Sequence, residues 1–233
     1  MPTALVTGAT EGIGRATALA FGRAGWRVGV CARTESRVEA LVAELRAAGI
    51  EAAGAAGDVG AEADARRIAR TVQERIGPVE VLVNNAGIAV FKPFLEQTLD
   101  DWDRTMATNV RSLYLMTREF LPGMIERSHG AVVNVASLAG KNGVKGATAY
   151  AASKHAVLGF SRSLMLEVRT LGIRVIAICP GSVDTGLIRS QEDPDAPARR
   201  ILHPDDVAAT ILAALELPER ALVSELDVRP SNP

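Results

Sequence analysis

Thr3-Ala4-Leu5-Val6-Thr7-Gly8-Ala9-Thr10-Glu11-Gly12-Ile13-Gly14 is the stretch that decides the fold. A short apolar run, 3–7, ends in a glycine-rich turn, and helix formers follow it over 13–24. A glycine-rich turn between a first strand and a helix lets the backbone approach an anion. The unpaired N–H groups of the helix N-terminus then face that anion. The spacing is T-G-x-x-x-G-x-G. Such a turn can be merely structural. In this context it points to a pyrophosphate cradle made by Gly8, Thr10, Glu11, Gly12, Ile13 and Gly14.

The same alternation continues along the chain. Strand-like runs lie at 27–31, 51–56, 80–84, 131–136, 174–179 and 224–229. They are mostly continuous in apolar character, as in parallel strands covered on both faces. Between them, Ala/Leu/Arg/Glu-rich segments at 35–48, 62–76, 99–127, 148–170 and 205–216 have helical spacing, and Asp205 and Asp206 after Pro204 suit a helix start. The pattern predicts an α/β fold of Rossmann type: a doubly wound, seven-stranded parallel sheet with helices on both faces, in one domain over 1–233. Segment 186–203 carries two prolines and many charges, and reads either as a solvated connector or as a short lid over a substrate.

Composition narrows the function classes. The 233 residues carry a formal net charge of −1 and 4% aromatic residues, which gives no footprint for nucleic acid or an anionic membrane. No apolar run approaches the ~20 residues that span a bilayer, and the start M-P-T-A-L-V-T-G has no leader-like character. The two cysteines, Cys31 and Cys179, lie in apolar segments and read as buried free thiols, and the three scattered histidines suggest no zinc site. The expectation is a soluble, cytoplasmic protein without a metal.

Two further features carry chemistry. After the second strand comes Cys31-Ala32-Arg33-Thr34, with no acid to hold a ribose 2′-hydroxyl. Arg33 beside Thr34 suits a 2′-phosphate, so NADP (NADPH) is expected over NAD, although the Glu11 carboxylate argues the other way. Tyr150 and Lys154 stand four apart in Y-A-A-S-K, on one helix face, and Ser137 lies thirteen residues upstream. A phenol beside an ammonium is an acid whose pKa can be lowered, and with a dinucleotide site this suggests hydride chemistry on a carbonyl or alcohol.

Taken together, the residues resemble the short-chain dehydrogenase/reductase family, in its single-domain branch. The resemblance rests on T-G-A-T-E-G-I-G, Asp58-Val59, N-N-A-G at 84–87, Asn109 in T-N-V, Ser137, Y-A-A-S-K at 150–154 and P-G-S-V-D-T at 180–185. It implies that Tyr150 is the general acid in reduction and the base in oxidation. Lys154 would lower the Tyr150 pKa and hold the nicotinamide ribose. Ser137 would bind the substrate oxygen, and Asn109 would loosen its helix and extend a proton relay to Lys154. Asp58 and Val59 would contact the adenine. Asn85, Ala86 and Gly87 would approach the adenosine ribose, while Pro180, Gly181, Val183 and Thr185 would line the nicotinamide. Asn84 is expected to satisfy backbone groups between strands, and Trp102 and Met106 to pack helices.

The resulting expectation is an NADP-preferring oxidoreductase that interconverts a ketone or aldehyde and an alcohol. The alternative is a dinucleotide-binding sensor or scaffold without turnover. The family implies a homodimer or homotetramer through the helices at 99–127 and 148–170. Many 3-oxoacyl-carrier-protein reductases resemble this chain, but they commonly end in D-G-G where this one reads S-E-L-D-V-R-P-S-N-P, which weakens a fatty-acyl assignment. Lys141, Lys145 and Arg189 could meet an anionic substrate, though loop cations are ordinarily just solvated.

Overall fold

The computed structural model describes residues 1–186, 201–218 and 220–231. Seven strands form one sheet: β1 (Thr3–Thr7), β2 (Arg27–Ala32), β3 (Ala52–Ala56), β4 (Val81–Asn84), β5 (Gly130–Val135), β6 (Ile173–Pro180) and β7 (Glu225–Val228). Their order is β3-β2-β1-β4-β5-β6-β7, and every adjacent pair is parallel. The order reverses between β1 and β4. A crevice opens at such a switch point, outside the strands' carboxyl ends.

The continuous apolar strands bury alternate residues on opposite faces. Ala4 and Val6 of β1 and Val28 and Val30 of β2 face the side covered by α1 (Gly12–Arg23), α2 (Glu35–Ala47) and α7 (Pro204–Glu216). Leu5, Cys31 and Leu82 face α3 (Glu62–Ile76), α5 (Ser112–Glu126) and α6 (Thr148–Val168). Phe21 of α1 is fully buried and its ring lies 4.9 Å from that of Trp26. Burial of a side chain of this size contributes roughly 1.5–3 kcal/mol.

The helix expected over 99–127 is not continuous. It comprises α4 (Leu99–Met106), a π-helical turn at Ala107–Arg111 and α5. A π turn inserts a residue into the helical ladder and turns a side chain out of register. Asn109 sits at the middle of this turn. Trp102, expected to pack in a helix interface, is 40% exposed on α4.

Asn84 also departs from expectation. Its amide donates to side chains, Asn134 Oδ1 on β5 at 2.9 Å and Thr117 Oγ1 on α5 at 3.2 Å, rather than to strand backbone. Asn134 in turn donates to Ser161 Oγ on α6 at 2.9 Å. This buried polar chain ties β4, β5, α5 and α6 together beneath the crevice.

Of the segment 186–203 read as a lid, 187–200 lies outside the described residues. Ser182–Asp184 and Leu202 pair through backbone hydrogen bonds of 2.8 and 2.9 Å, which brings the two flanks of the segment together. His203 is the N-cap of α7, in a capping box with Asp206 and with Pro204 in the first turn, so the segment's last residue belongs to a helix start.

Candidate active site

The cradle after β1 depends on glycine. Gly8 and Gly12 have φ of +62° and +53°, in the left-handed region. A Cβ on Gly14 would lie 2.3 Å from Gly8 O and 2.5 Å from Asn85 Nδ2. Thr7 Oγ1 accepts the Asn85 and Ala86 N–H groups, each at 3.0 Å, so β1 and the N-N-A-G turn are bolted together. Glu11 caps α1 without any side-chain capping bond. The first turn of α1 therefore presents backbone donors to the cleft, where an anion is favoured.

Asn85 was expected to meet the ribose. It does line the cleft, but its amide donates to Thr7 O at 2.9 Å and Gly8 O at 3.1 Å, so that end of the side chain shapes the cradle. Asp58 Oδ1 similarly accepts the Gly60 N–H at 2.8 Å while Asp58 and Val59 line the cleft beside Ala32, Arg33 and Thr34.

The cleft has a volume of about 870 Å³. Gly8, Thr10, Glu11, Gly12 and Ile13 of the cradle line it with Gly87, Pro180, Gly181, Val183 and Thr185, as do Ser137, Tyr150 and Lys154, whereas Gly14 packs behind it against Gly8 O and Asn85. Asn109 is not among its lining residues and acts from behind. Its Oδ1 accepts the Ile88 N–H at 2.8 Å, and its Nδ2 donates to Ile88 O and Ser153 Oγ, both at 2.9 Å. Ser153 Oγ donates to Tyr150 O at 2.7 Å. The π turn thus lets Asn109 pin the 87–88 loop to α6, between Tyr150 and Lys154.

Lys154 is 5% exposed, with its Nζ 2.8 Å from Val135 O and 5.7 Å from the centre of the Tyr150 ring. Burial pulls the ammonium down from 10.5 to about 8. For Tyr150 the balance differs from expectation. Burial pushes the phenol up, and the hydrogen bond with Ser137 opposes this only in part. Lys154 is not among the groups that lower the phenol. Its Nζ lies over the ring rather than at the hydroxyl. Ser137 also accepts the Ala139 N–H at 3.1 Å, which orients its hydroxyl oxygen at the start of the 138–140 turn.

The glycine cradle, the backbone donors of α1 and the long cleft fit a dinucleotide. Several cleft residues were missed in the sequence. Phe91 lies 6.2 Å from the Tyr150 ring and lines the cleft, as do Leu138, Val144 and Arg37. None sits in a recognisable motif. Lys141, read as a possible anion contact, pairs with Glu225 and Asp227 of β7, close to buried Cys179. Arg189 lies outside the described residues.

A sequence model described as "short chain dehydrogenase" matches residues 2–196. The chain belongs to the short-chain dehydrogenase family. It is 44% identical, over 80% of its length and 72% of the relative's, to a Streptomyces coelicolor protein named as a ketoacyl reductase. It is 37% identical to a 3-oxoacyl-[acyl-carrier-protein] reductase of Pseudomonas aeruginosa, over 85% of this chain and 80% of that one. Among solved structures, an actinorhodin polyketide ketoreductase with NADPH superposes with a TM-score of 0.92 at 36% identity, covering 98% of this chain and 96% of that one. A metagenomic short-chain oxidoreductase in complex with NADP gives 0.86 at 35% identity, covering 99% and 97%.

Proposed function

We propose that this protein is a single-domain, NADP-preferring oxidoreductase that interconverts a ketone and an alcohol, with Tyr150 as the proton donor and acceptor. One observation carries the reading. Ser137, Tyr150 and Lys154 meet at one end of a glycine-cradled dinucleotide cleft, and Asn109 braces them from behind. A bound nicotinamide supplies or receives the hydride. The chain's own residues supply position and a proton. Ser137 and the Tyr150 phenol bind the substrate oxygen, and the phenol gives its proton to that oxygen as charge develops there. A raised phenol pKa keeps Tyr150 protonated at neutral pH, the form that reduction needs. Lys154, charged below about 8, is placed to hold ribose hydroxyls and to favour the phenolate left behind.

Preference for NADP is supported by Arg33 and Thr34 at the cleft wall and by the cofactors named for the solved relatives. The names of the relatives favour a ketone on an acyl chain. The β7 end supports a wall different from a D-G-G ending, because Arg229 and Pro230 line the cleft. Two buried free thiols suit a reducing cytoplasm, and no helix among the described residues is long and apolar enough to cross a membrane. Exposed Tyr114 on α5 and Leu166 on α6, 49% and 59% accessible, support a homo-oligomer built on those helices.

The test is a set of ketones and oxoacyl thioesters with NADPH, followed by absorbance, with NADH in parallel. Turnover with NADPH at higher kcat/KM is the expected result. Equal or better kcat/KM with NADH would refute the NADP preference, and no turnover with any ketone would refute the reaction.

A further inference from the structure

The adenosine end of the cleft carries an unresolved conflict of charge. Glu11 places a carboxylate in the cradle, where it would repel a ribose 2′-phosphate. Three arginines stand nearby, but they are not equivalent. Arg15, on the first turns of α1, is already committed: its Nη2 lies 2.6 and 2.7 Å from the two carboxylate oxygens of Glu44 on α2. Arg37, on the first turn of α2, takes the other position. Its Nη1 lies 3.5 Å from Glu11 Oε2, and both side chains are largely exposed, at 64% and 72%. Arg37, Arg33, Thr34 and Glu11 all line the cofactor cleft, whereas Arg15 lines only the shallow recess beside it.

Resting on the reading of NADP as the cofactor, we propose that Arg37 is a specificity-determining residue for the 2′-phosphate and that it works through its pair with Glu11. A guanidinium has five N–H donors in a planar fork, so contact with one carboxylate oxygen leaves donors for a phosphate. Arg37 therefore does two things at once. It cancels the Glu11 charge that would oppose the phosphate, and with Arg33 it offers charge-assisted hydrogen bonds to it. With a 2′-hydroxyl in place of the phosphate, the Glu11–Arg37 pair stays as it is and contributes little, as exposed pairs do. Removing Arg37 alone leaves Glu11 unshielded. The loss of NADPH affinity should thus exceed the loss of one contact, and neutralising Glu11 should return part of it.

The experiment reads binding rather than turnover. NADPH and NADH are titrated by protein fluorescence, and 2′,5′-ADP and 5′-AMP by calorimetry, at low and at physiological ionic strength. Arg37→Ala is expected to weaken NADPH and 2′,5′-ADP by about tenfold at low salt, the scale of a charge-assisted contact, and NADH and 5′-AMP by less than about twofold. Adding Glu11→Gln to Arg37→Ala should recover about threefold or more of the NADPH affinity, and added salt should shrink both effects. Equal weakening of NADPH and NADH, no weakening of either, or no recovery with Glu11→Gln would overturn the proposal. Discriminating NADPH binding in a protein that reduces no ketone would sink the proposed reaction and leave this inference standing. Failure of the wild type to bind NADPH would sink both.

Discussion

Lys154→Met separates function from stability. The ammonium is 5% exposed, and burial lowers its pKa from 10.5 to about 8. A depressed lysine pKa means that the charged form is disfavoured in the folded state. The cost is full below about 8, where both states are protonated. It fades as pH rises toward 10.5, where the unfolded chain loses its proton too. The gap between the two values corresponds to about 3 kcal/mol at neutral pH. Methionine of similar length removes that cost, but it leaves Val135 O without the 2.8 Å hydrogen bond from Nζ. An unsatisfied buried carbonyl costs roughly 1–3 kcal/mol. A net gain of up to about 2 kcal/mol remains, and for a chain of this size that raises Tm by up to about 8 °C at pH 7. The gain should shrink steadily between pH 8 and 10.5. Carbonyl reduction should meanwhile fall by about a hundredfold or more, because Tyr150 loses the cation that stabilises its phenolate. Calorimetric melts across pH 6–10.5 and NADPH oxidation at pH 7 read both quantities. A mutant less stable than wild type at pH 7, or a stability difference that ignores pH, would refute the account of Lys154 as a buried, costly cation.

Two other outcomes follow from single contacts. Gly14→Ala puts a methyl 2.3 Å from Gly8 O and 2.5 Å from Asn85 Nδ2, so it should break the hydrogen bond from Asn85 Nδ2 to Gly8 O that joins the N-N-A-G turn to the cradle. A Tm drop matching about 1–3 kcal/mol and at least about tenfold weaker NADPH binding are expected, and unchanged titration and melting curves would contradict this. Asp101 of α4 is held down to about 2, first by the Lys92 ammonium and then by the Thr98 cap. A depressed carboxyl stabilises the fold above its ordinary value of 3.8 and loses that contribution as pH falls toward 2. Asp101→Asn should therefore lower Tm at pH 7 and converge with wild type near pH 2–3, and an offset equal at both ends would contradict it.

Much of this was legible because the signals are local. The apolar run 3–7 coincides with β1, since Pro2 and Gly8 bracket it, and all seven strands lie within a residue or two of the runs that mark them. Even β3, with only Ala and Gly, is correctly placed by its position between two helical segments. The α4–α5 interruption was not legible. Apolar spacing runs through it, and only Asn109 hinted at the π turn. The raised Tyr150 pKa was missed because four-residue spacing shows proximity to Lys154 but not burial. Contacts between distant residues were also invisible. Asn134 and Ser161 are separated by 27 positions and Arg37 and Glu11 by 26, and neither pair leaves a pattern in composition or periodicity.

The central claim is that Tyr150 gives the proton that completes reduction. Tyr150→Phe keeps the ring and removes only the hydroxyl. NADPH titration followed by ketone reduction at pH 7 tests it directly. The account predicts unchanged NADPH affinity with kcat lowered by about a hundredfold or more. A Tyr150→Phe enzyme that reduces the same ketone at the wild-type rate would contradict it.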